Sequence, residues 1–388
     1  MTTQTTLDIA QVPHLYRPSI GGIENYVYRL NRSAEAAGHD VTTYTTDRSL
    51  QDASSQSTVD GRVHYCDTDL SLLRNPVSRE LYRRLDASDH DVYHLHSPWF
   101  LSTLEAAHAI PDDATTVMTV HSAEITSTSS FVRALNTVYR PFAQYVFDRV
   151  DHSFVQGATE RRRLLDRFDV DPASVSVVPN AIHPAEYDVP DADVRAFQEE
   201  YGLDPDVPTV LFVSRLVPAK HPDVFVDAVT DHLPDTDLQA LVVGSGDDAY
   251  VDDLRGRADD RIQFYGTLPF EDLKASYHAS DLFVFLGTWE GLPTVILEAM
   301  NARLPVVSTA AGAIPDAVTD GENGTIVSSP PDARAVATAI RYYLDLPSKR
   351  VAVGDRNRAT VRETYRWETV AGTILSKYNT LVGRAGTE

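Results

Sequence analysis

At 388 residues, with 43% hydrophobic content, the chain is too long for one ordinary core and long enough for two. A net charge of −22 leaves no basic footprint for duplex nucleic acid, which is excluded as a main partner, and the single Cys66 excludes an internal disulfide framework or a thiolate metal cluster. No apolar run approaches the roughly 18 residues that span a bilayer, and MTTQTTLDIA lacks the basic-then-apolar layout of a signal peptide, so a cytoplasmic chain is expected. LDIAQV (7–12) reads as a buried strand, followed by the loop PHLYRPSIGG and a helical pattern from Ile23 to about Ala37. HDVTTYT, DVYHLHS (91–97), TTVMTVHS (115–122), HSFVQG (152–157) and VSVVP (175–179) continue a strand–helix alternation. Such a series predicts a mainly parallel sheet covered on both faces.

A second series follows the acidic, proline-punctuated stretch HPAEYDVPDADVRAFQEEYGLDPDVP. Its strands are TVLFVSRL (209–216), LQALVVGSG (238–246), IQFYGT (262–267), DLFVFLG (281–287), LPVVST (304–309) and GTIVSS (324–329). The expected division is a first domain over 1–183, a linker over 184–207, a second domain over 208–365, and a last amphipathic helix over 366–388 that returns to the first. Two doubly wound α/β domains facing one another would place a cleft at the carboxyl ends of both sheets. The surface is Asp-rich and Lys-poor: Lys220, Lys274, Lys349 and Lys377 are the only lysines among 34 basic residues. That balance resembles proteins of salt-accumulating organisms, where ionic strength screens self-repulsion.

The stretch WEGLPTVILEAM places Glu290 just before, and Glu298 inside, an otherwise apolar helix. Gly291 lets backbone approach a ligand, Pro293 suits a first helical turn, and a helix amino end offers N–H groups to an anion. Glu298 then reads a ribose diol, or is an ordinary exposed helix residue with Val295, Ile296 and Met300 as the buried stripe. In SRLVPAKH (214–221), Arg215 and Lys220 follow a strand, where a guanidinium and an ammonium can neutralise a diphosphate; the alternative is a solvated loop pair. His94 and His96 alternate on one strand face, as a metal pair or as cleft lining, with no third ligand at convincing spacing.

SRLVPAK, VVGSGD, FYGTLP, EGLPTVILEAM and LPVVSTAAGAIPDAVTDGENG occur in the order of the retaining, GT-B-fold glycosyltransferases of family 4, and SIGGIENYV, MTVHS and VVPNAI resemble its first half. The resemblance runs from about residue 7 to 380. It implies a nucleotide-sugar donor, UDP- or GDP-linked, and retention of anomeric configuration. Arg215 and Lys220 become the diphosphate clamp, Glu298 the ribose ligand and Glu290 a contact to the donor sugar. Gly291, Leu292 and Pro293 would lie near sugar and phosphates, Leu268 near the base, and Gly244 and Gly246 beside the nucleotide. In the first half, Gly22 would approach the diphosphate and His121 would touch the donor sugar. The cations and backbone donors stabilise the leaving diphosphate, so no metal or other cofactor is expected, and no protein nucleophile is evident; a front-face displacement is the favoured mechanism. A sugar-nucleotide 2-epimerase of the same fold and a non-catalytic nucleotide-sugar-binding subunit are the alternatives.

Three departures stand out. Asn180-Ala181-Ile182-His183 replaces a frequent Asn-Gly-acidic ending, and Ser122 stands where an acidic residue is common. Gly312-Ala313-Ile314-Pro315-Asp316 adds a methyl group to the usual Gly-Gly-x-Pro-Glu turn, where tolerance is expected. On the acceptor side, a glycan or lipid-linked molecule, Glu24 is either a site residue or a cap of the first helix. Residues 131–167 carry seven arginines (Arg133, Arg140, Arg149, Arg161, Arg162, Arg163, Arg167) against four acids, with Phe131, Leu135, Val138, Phe142, Tyr145 and Val146 at helical spacing. This segment is either a peripheral contact with an anionic membrane or a core-facing helix with a solvated arginine face.

Overall fold

The apolar runs fold as parallel strands with helices between them, in the computed structural model, which describes residues 6–19, 21–51, 62–72, 75–122, 130–288 and 290–385. The chain divides into two units, Met1–Asn180 with Trp367–Glu388, and Ala181–Arg366.

In the first unit the strands are β1 (Asp8–Val12), β2 (Asp40–Thr46), β3 (Val63–Cys66), β6 (Val92–His96), β7 (Thr116–Val120), β8 (His152–Val155) and β9 (Val175–Val177), with a small antiparallel hairpin of β4 (Leu70–Leu72) and β5 (Asn75–Val77). The large sheet runs β3-β2-β1-β6-β7-β8-β9, and Ile9 pairs with both Val41 and Val92 at its centre. Strand order reverses beside β1, so the loops after β1, β6 and β7 gather at one edge. Cys66 is fully buried and burial pushes its thiol up to about 12, which marks a structural residue. The last helix, Trp367–Ala385, belongs to this unit. Its buried face, Trp367, Val370, Ala371, Ile374, Leu375 and Tyr378, follows helical spacing, and Trp367 meets the Tyr26 ring at 5.1 Å.

The second unit carries β10 (Thr209–Val213), β11 (Gln239–Val243), β12 (Ile262–Gly266), β13 (Leu282–Phe285), β14 (Val306–Thr309) and β15 (Gly324–Val327) in the order β12-β11-β10-β13-β14-β15, all parallel. Alternation explains the unbroken apolar runs. Leu211 and Val213 enter one core, Val210 and Phe212 the other, so both faces are covered.

The stretch 184–207 is not a linker. Tyr187, Phe197 and Leu203 are buried in the same core as Leu211 and Phe283, the helix Asp191–Glu200 packs there, and Asp188 pairs with Arg358 at 2.6 Å. Its high acid content hid the three apolar anchors that fold it onto the second sheet.

The basic segment spends several of its guanidiniums on its own unit. Arg161 donates to the carbonyls of Val175 and Pro172, Arg163 pairs with Glu160, and Arg149 binds Asp112 and the carbonyl of Ile110. The guanidiniums of Arg161 and Arg149 close helix and loop ends. Val138 and Phe142, one turn apart, are 66% and 49% exposed; the side chains of Phe131, Arg133 and Leu135 lie outside the described residues. Among the described residues no helix is long and apolar enough to cross a membrane.

Candidate functional site

Four loops meet at the carboxyl edge of the second sheet, after β10, β11, β13 and β14. The β10 loop runs through Arg215 to a left-handed His221 that starts the helix Pro222–Thr230. It lies directly on the β11 loop: the Leu216 N–H donates to the Ser245 carbonyl at 2.8 Å, and a Cβ at Gly246 would stand 2.0 Å from the Leu216 oxygen. A Cβ at Gly244 would stand 1.8 Å from the Ser214 oxygen. Gly244 and Gly246 are therefore required by backbone packing between two loops, a reason independent of any ligand. Leu268, expected near a base, is half-buried against the core beneath this edge, and the neighbouring Thr267 hydroxyl bonds Ser245.

The β13 loop carries Glu290 and is held from both sides. Thr288 donates to the Ala219 carbonyl at 3.2 Å, and the Ala313 N–H donates to the Gly291 carbonyl at 2.9 Å. Gly312, at φ +53°, packs on this loop so closely that a Cβ would stand 1.9 Å from the Glu290 oxygen. Ala313 has an ordinary φ of −94°, so the extra methyl of this turn carries no backbone strain.

Lys220 and Glu290 form an ion pair, each side chain only 13% exposed, with the ammonium 5.4 Å from the Phe285 ring centre. Burial first, and then the Arg215 guanidinium, push Lys220 down to about 8. Arg215 itself is exposed. This edge thus holds one restrained cation, one exposed one and a carboxylate. Leu292 is buried, and Pro293 is the N-cap of the helix Thr294–Asn301, with extended geometry and no side-chain cap.

Glu298 is neither exposed nor open. It is 6% exposed, its Oε1 accepts from the Tyr187 hydroxyl at 3.1 Å and its Oε2 from Tyr277 at 2.9 Å, while Thr294 bonds it as well. Burial raises its carboxyl above the usual range, and the three hydroxyls act against that. The sequence reading of an exposed helix residue fails; the reading of a carboxylate that collects neutral hydroxyls finds tyrosines as partners. Neither Tyr187 nor Tyr277 was singled out, because they lie 111 and 21 residues away.

In the first unit Gly22 opens the helix Gly22–Ala36, with free space where its Cβ would be. The sterically demanding position is Gly21, where a Cβ would stand 2.3 Å from the Glu24 carboxylate. Glu24 is 7% exposed and folds back over the helix amino end as a capping carboxylate, and burial raises its carboxyl. The geometry supports the capping alternative, not an exposed acceptor contact.

His121 follows β7 and is partly buried. Its Nε2 lies 3.3 Å from His96 Nδ1, its Nδ1 lies 3.3 Å from the Gln156 amide nitrogen, and Tyr26 meets its ring edge-on at 4.9 Å. His96 Nε2 bonds Gln11 at 2.8 Å, while His94 bonds Tyr378 and Thr119 at 2.5 and 2.8 Å and stacks on His96. Each nitrogen of His94 and His96 thus has its own partner, and among the described residues no group of three His, Cys, Asp or Glu is placed to hold a metal ion. The metal-pair reading is not supported; stacked rings do not converge their nitrogens. Ser122 accepts from the Trp99 indole through its carbonyl.

Two doubly wound parallel sheets, each with its loops gathered at one carboxyl edge, define the GT-B class, and solved structures share this fold. HepE of Anabaena in complex with UDP superposes with a TM-score of 0.79 at 17% identity over 96% of this chain and 100% of that one. Sucrose-phosphate synthase of Thermosynechococcus elongatus does so with 0.78 at 22% over 97% and 100%. Residues 20–186 match the model described as Glycosyltransferase Family 4, and residues 193–360 that of Glycosyl transferases group 1. The chain belongs to this family of glycosyltransferases. Relatives include a D-inositol 3-phosphate glycosyltransferase of Corynebacterium glutamicum (31% identity; 61% of this chain, 59% of the relative). Another is a GDP-mannose-dependent alpha-(1-6)-phosphatidylinositol monomannoside mannosyltransferase of Mycolicibacterium smegmatis (35%; 46% and 50%). The chain spans about half to three-fifths of the length of these curated relatives.

Proposed function

We propose that the protein transfers a hexosyl group, with retention, from a UDP- or GDP-sugar to a glycan or lipid-linked acceptor. The observation that carries the reading is the Arg215, Lys220 and Glu290 group on interlocked loops at one sheet edge. Arg215 and Lys220 would take the diphosphate, whose charge grows as the anomeric C–O bond breaks, and Glu290 would accept from sugar hydroxyls. The acceptor oxygen would bond the anomeric carbon on the face the diphosphate leaves, its proton passing to the departing phosphate oxygen. His121 would contact the donor sugar. Two protein cations supply the charge otherwise asked of a metal, so turnover is expected to survive chelation by EDTA. The named relatives and neighbours, one GDP-mannose-dependent and one bound to UDP, support a nucleotide-sugar donor of either kind. A lipid-linked acceptor would bring the exposed Val138 and Phe142 to a membrane surface.

The test is hydrolysis and transfer across a panel of UDP- and GDP-sugars in high salt, with Lys220→Ala and Glu290→Ala beside the parent. One donor consumed, with loss in both variants, supports the reading. Release of an epimerised sugar would favour an epimerase, and binding without turnover a non-catalytic subunit.

A further inference from the structure

The first unit holds a line of buried amides and imidazoles with a defined polarity. The Gln156 amide N–H donates to His121 Nδ1, so that nitrogen carries no proton. The proton of His121 is then on Nε2 and donates to His96 Nδ1 at 3.3 Å, which leaves the proton of His96 on Nε2, donating to Gln11 Oε1 at 2.8 Å. Gln11 and His96 are fully buried and Gln156 is 4% exposed, so water does not substitute freely for any member. A second proton on His121 would set an N–H against the Gln156 amide N–H, and one on His96 would set it against that of His121.

We infer that Gln156, His96 and Gln11 hold His121 as the neutral Nε2–H tautomer, which makes His96 a positioning residue for the sugar contact. The inference rests on the reading of His121 given under the proposed function. A neutral ring matters there because partial positive charge develops on the sugar as the diphosphate leaves, and an imidazolium beside it would oppose that charge. With Nε2–H committed inward, Nδ1 is the atom that can accept a sugar hydroxyl, in place of the long bond from Gln156. The groups packed around the pair are uncharged near neutral pH. Burial pushes His14 down to about 4 and His94 down to about 3, and raises the phenols of Tyr26 and Tyr378.

The test uses the full chain labelled with ¹⁵N-histidine, the His121 signals being those absent from His121→Asn. The expected parent spectrum shows His121 as Nε2–H and untitrated from pH 5 to 8. In His96→Leu the tautomers mix and the ring titrates, whereas His96→Asn, whose amide oxygen can take the place of Nδ1, restores the parent state. With the donor found above, a His121 that titrates at the ordinary imidazole value would lower kcat, relative to parent, about fourfold at pH 6, with KM little changed and the profile flat again in His96→Asn. Thermal unfolding of each variant checks folding. If His96→Leu does not fold, Gln11→Met serves, because loss of the terminal acceptor lets the line reverse as the Gln156 amide turns its oxygen to the ring, and His121 becomes Nδ1–H. An Nδ1–H or protonated His121 in the parent, or an unchanged His121 in both variants, overturns the inference. A changed tautomer with an unchanged pH profile overturns the positioning role. No donor consumed by the parent would sink the proposed function and leave the tautomer result standing.

Discussion

Replacing Gly312 with alanine tests whether interlocked loops, not a ligand, set the shape of the candidate donor site. The residue sits at φ +53°, where an L side chain costs about 1–2 kcal/mol, and its new Cβ would meet the Glu290 and Gly291 oxygens at 1.9 and 2.5 Å. Those are backbone atoms, so the loop must move, and forcing a methyl into a packed site costs a further ~1–3 kcal/mol. The neighbouring change, Ala313→Gly, removes a fully buried methyl at an ordinary φ of −94° and should cost only about 1–2 kcal/mol in lost burial and added unfolded-state freedom. Only the first displaces the peptide that carries Glu290, hence the Lys220 pair. Denaturant unfolding of both variants, with calorimetric binding of the identified nucleotide sugar, should show Gly312→Ala destabilised more and bound at least tenfold more weakly, and Ala313→Gly close to parent in affinity. Equal destabilisation, or equal loss of affinity in both, would refute the account of the loop.

Tyr187→Phe and Tyr277→Phe each strip one donor from the buried Glu298 carboxylate and should cost about 1–3 kcal/mol in denaturant unfolding, with the double variant departing from additivity because both act on one group. The first unit should lose stability in acid: burial pushes His94 and His121 down to about 3 and His14 and His152 to about 4. Between these values and the ordinary 6.5 the unfolded chain binds the extra protons, so stability is full above pH ~6.5 and falls with pH by ~1.4 kcal/mol per unit for each such histidine, partly offset by the raised Glu24. Unfolding followed from pH 7.5 to 4.5 measures the slope, and His152→Gln should reduce it. Flotation with anionic vesicles should retain the parent and not Val138→Asp/Phe142→Asp, while Arg161→Gln lowers stability more than binding because its guanidinium closes the Val175 and Pro172 carbonyls.

Strand positions were legible because a parallel sheet covered on both faces demands unbroken apolar runs, and LDIAQV, TVLFV and LFVF supply them. The loops carrying Arg215, Lys220 and Glu290 were legible too, since each follows such a run. What sequence spacing did not disclose was partnership across distance. The acids of 184–207 read as a solvated linker, yet the tyrosine among them, Tyr187, is a buried ligand of Glu298. Glu298 itself looked like either a surface residue or a ligand reader because both place a carboxylate on a helix, and only burial with three hydroxyls separates them. The glycines show the same limit: Gly22 drew attention as a place for backbone to approach a diphosphate, whereas the crowding falls on Gly21, against a carboxylate three residues on. His94 and His96 suggested a metal because alternation puts both on one strand face. Their partners decide otherwise: Tyr378 from the last helix and Thr119 hold His94, while Gln11 from the first strand and His121 hold His96. A chemistry-bearing residue type thus announces that a polar group is held at a strand end, while the choice between ligand and scaffold is made by groups that the sequence sets far away.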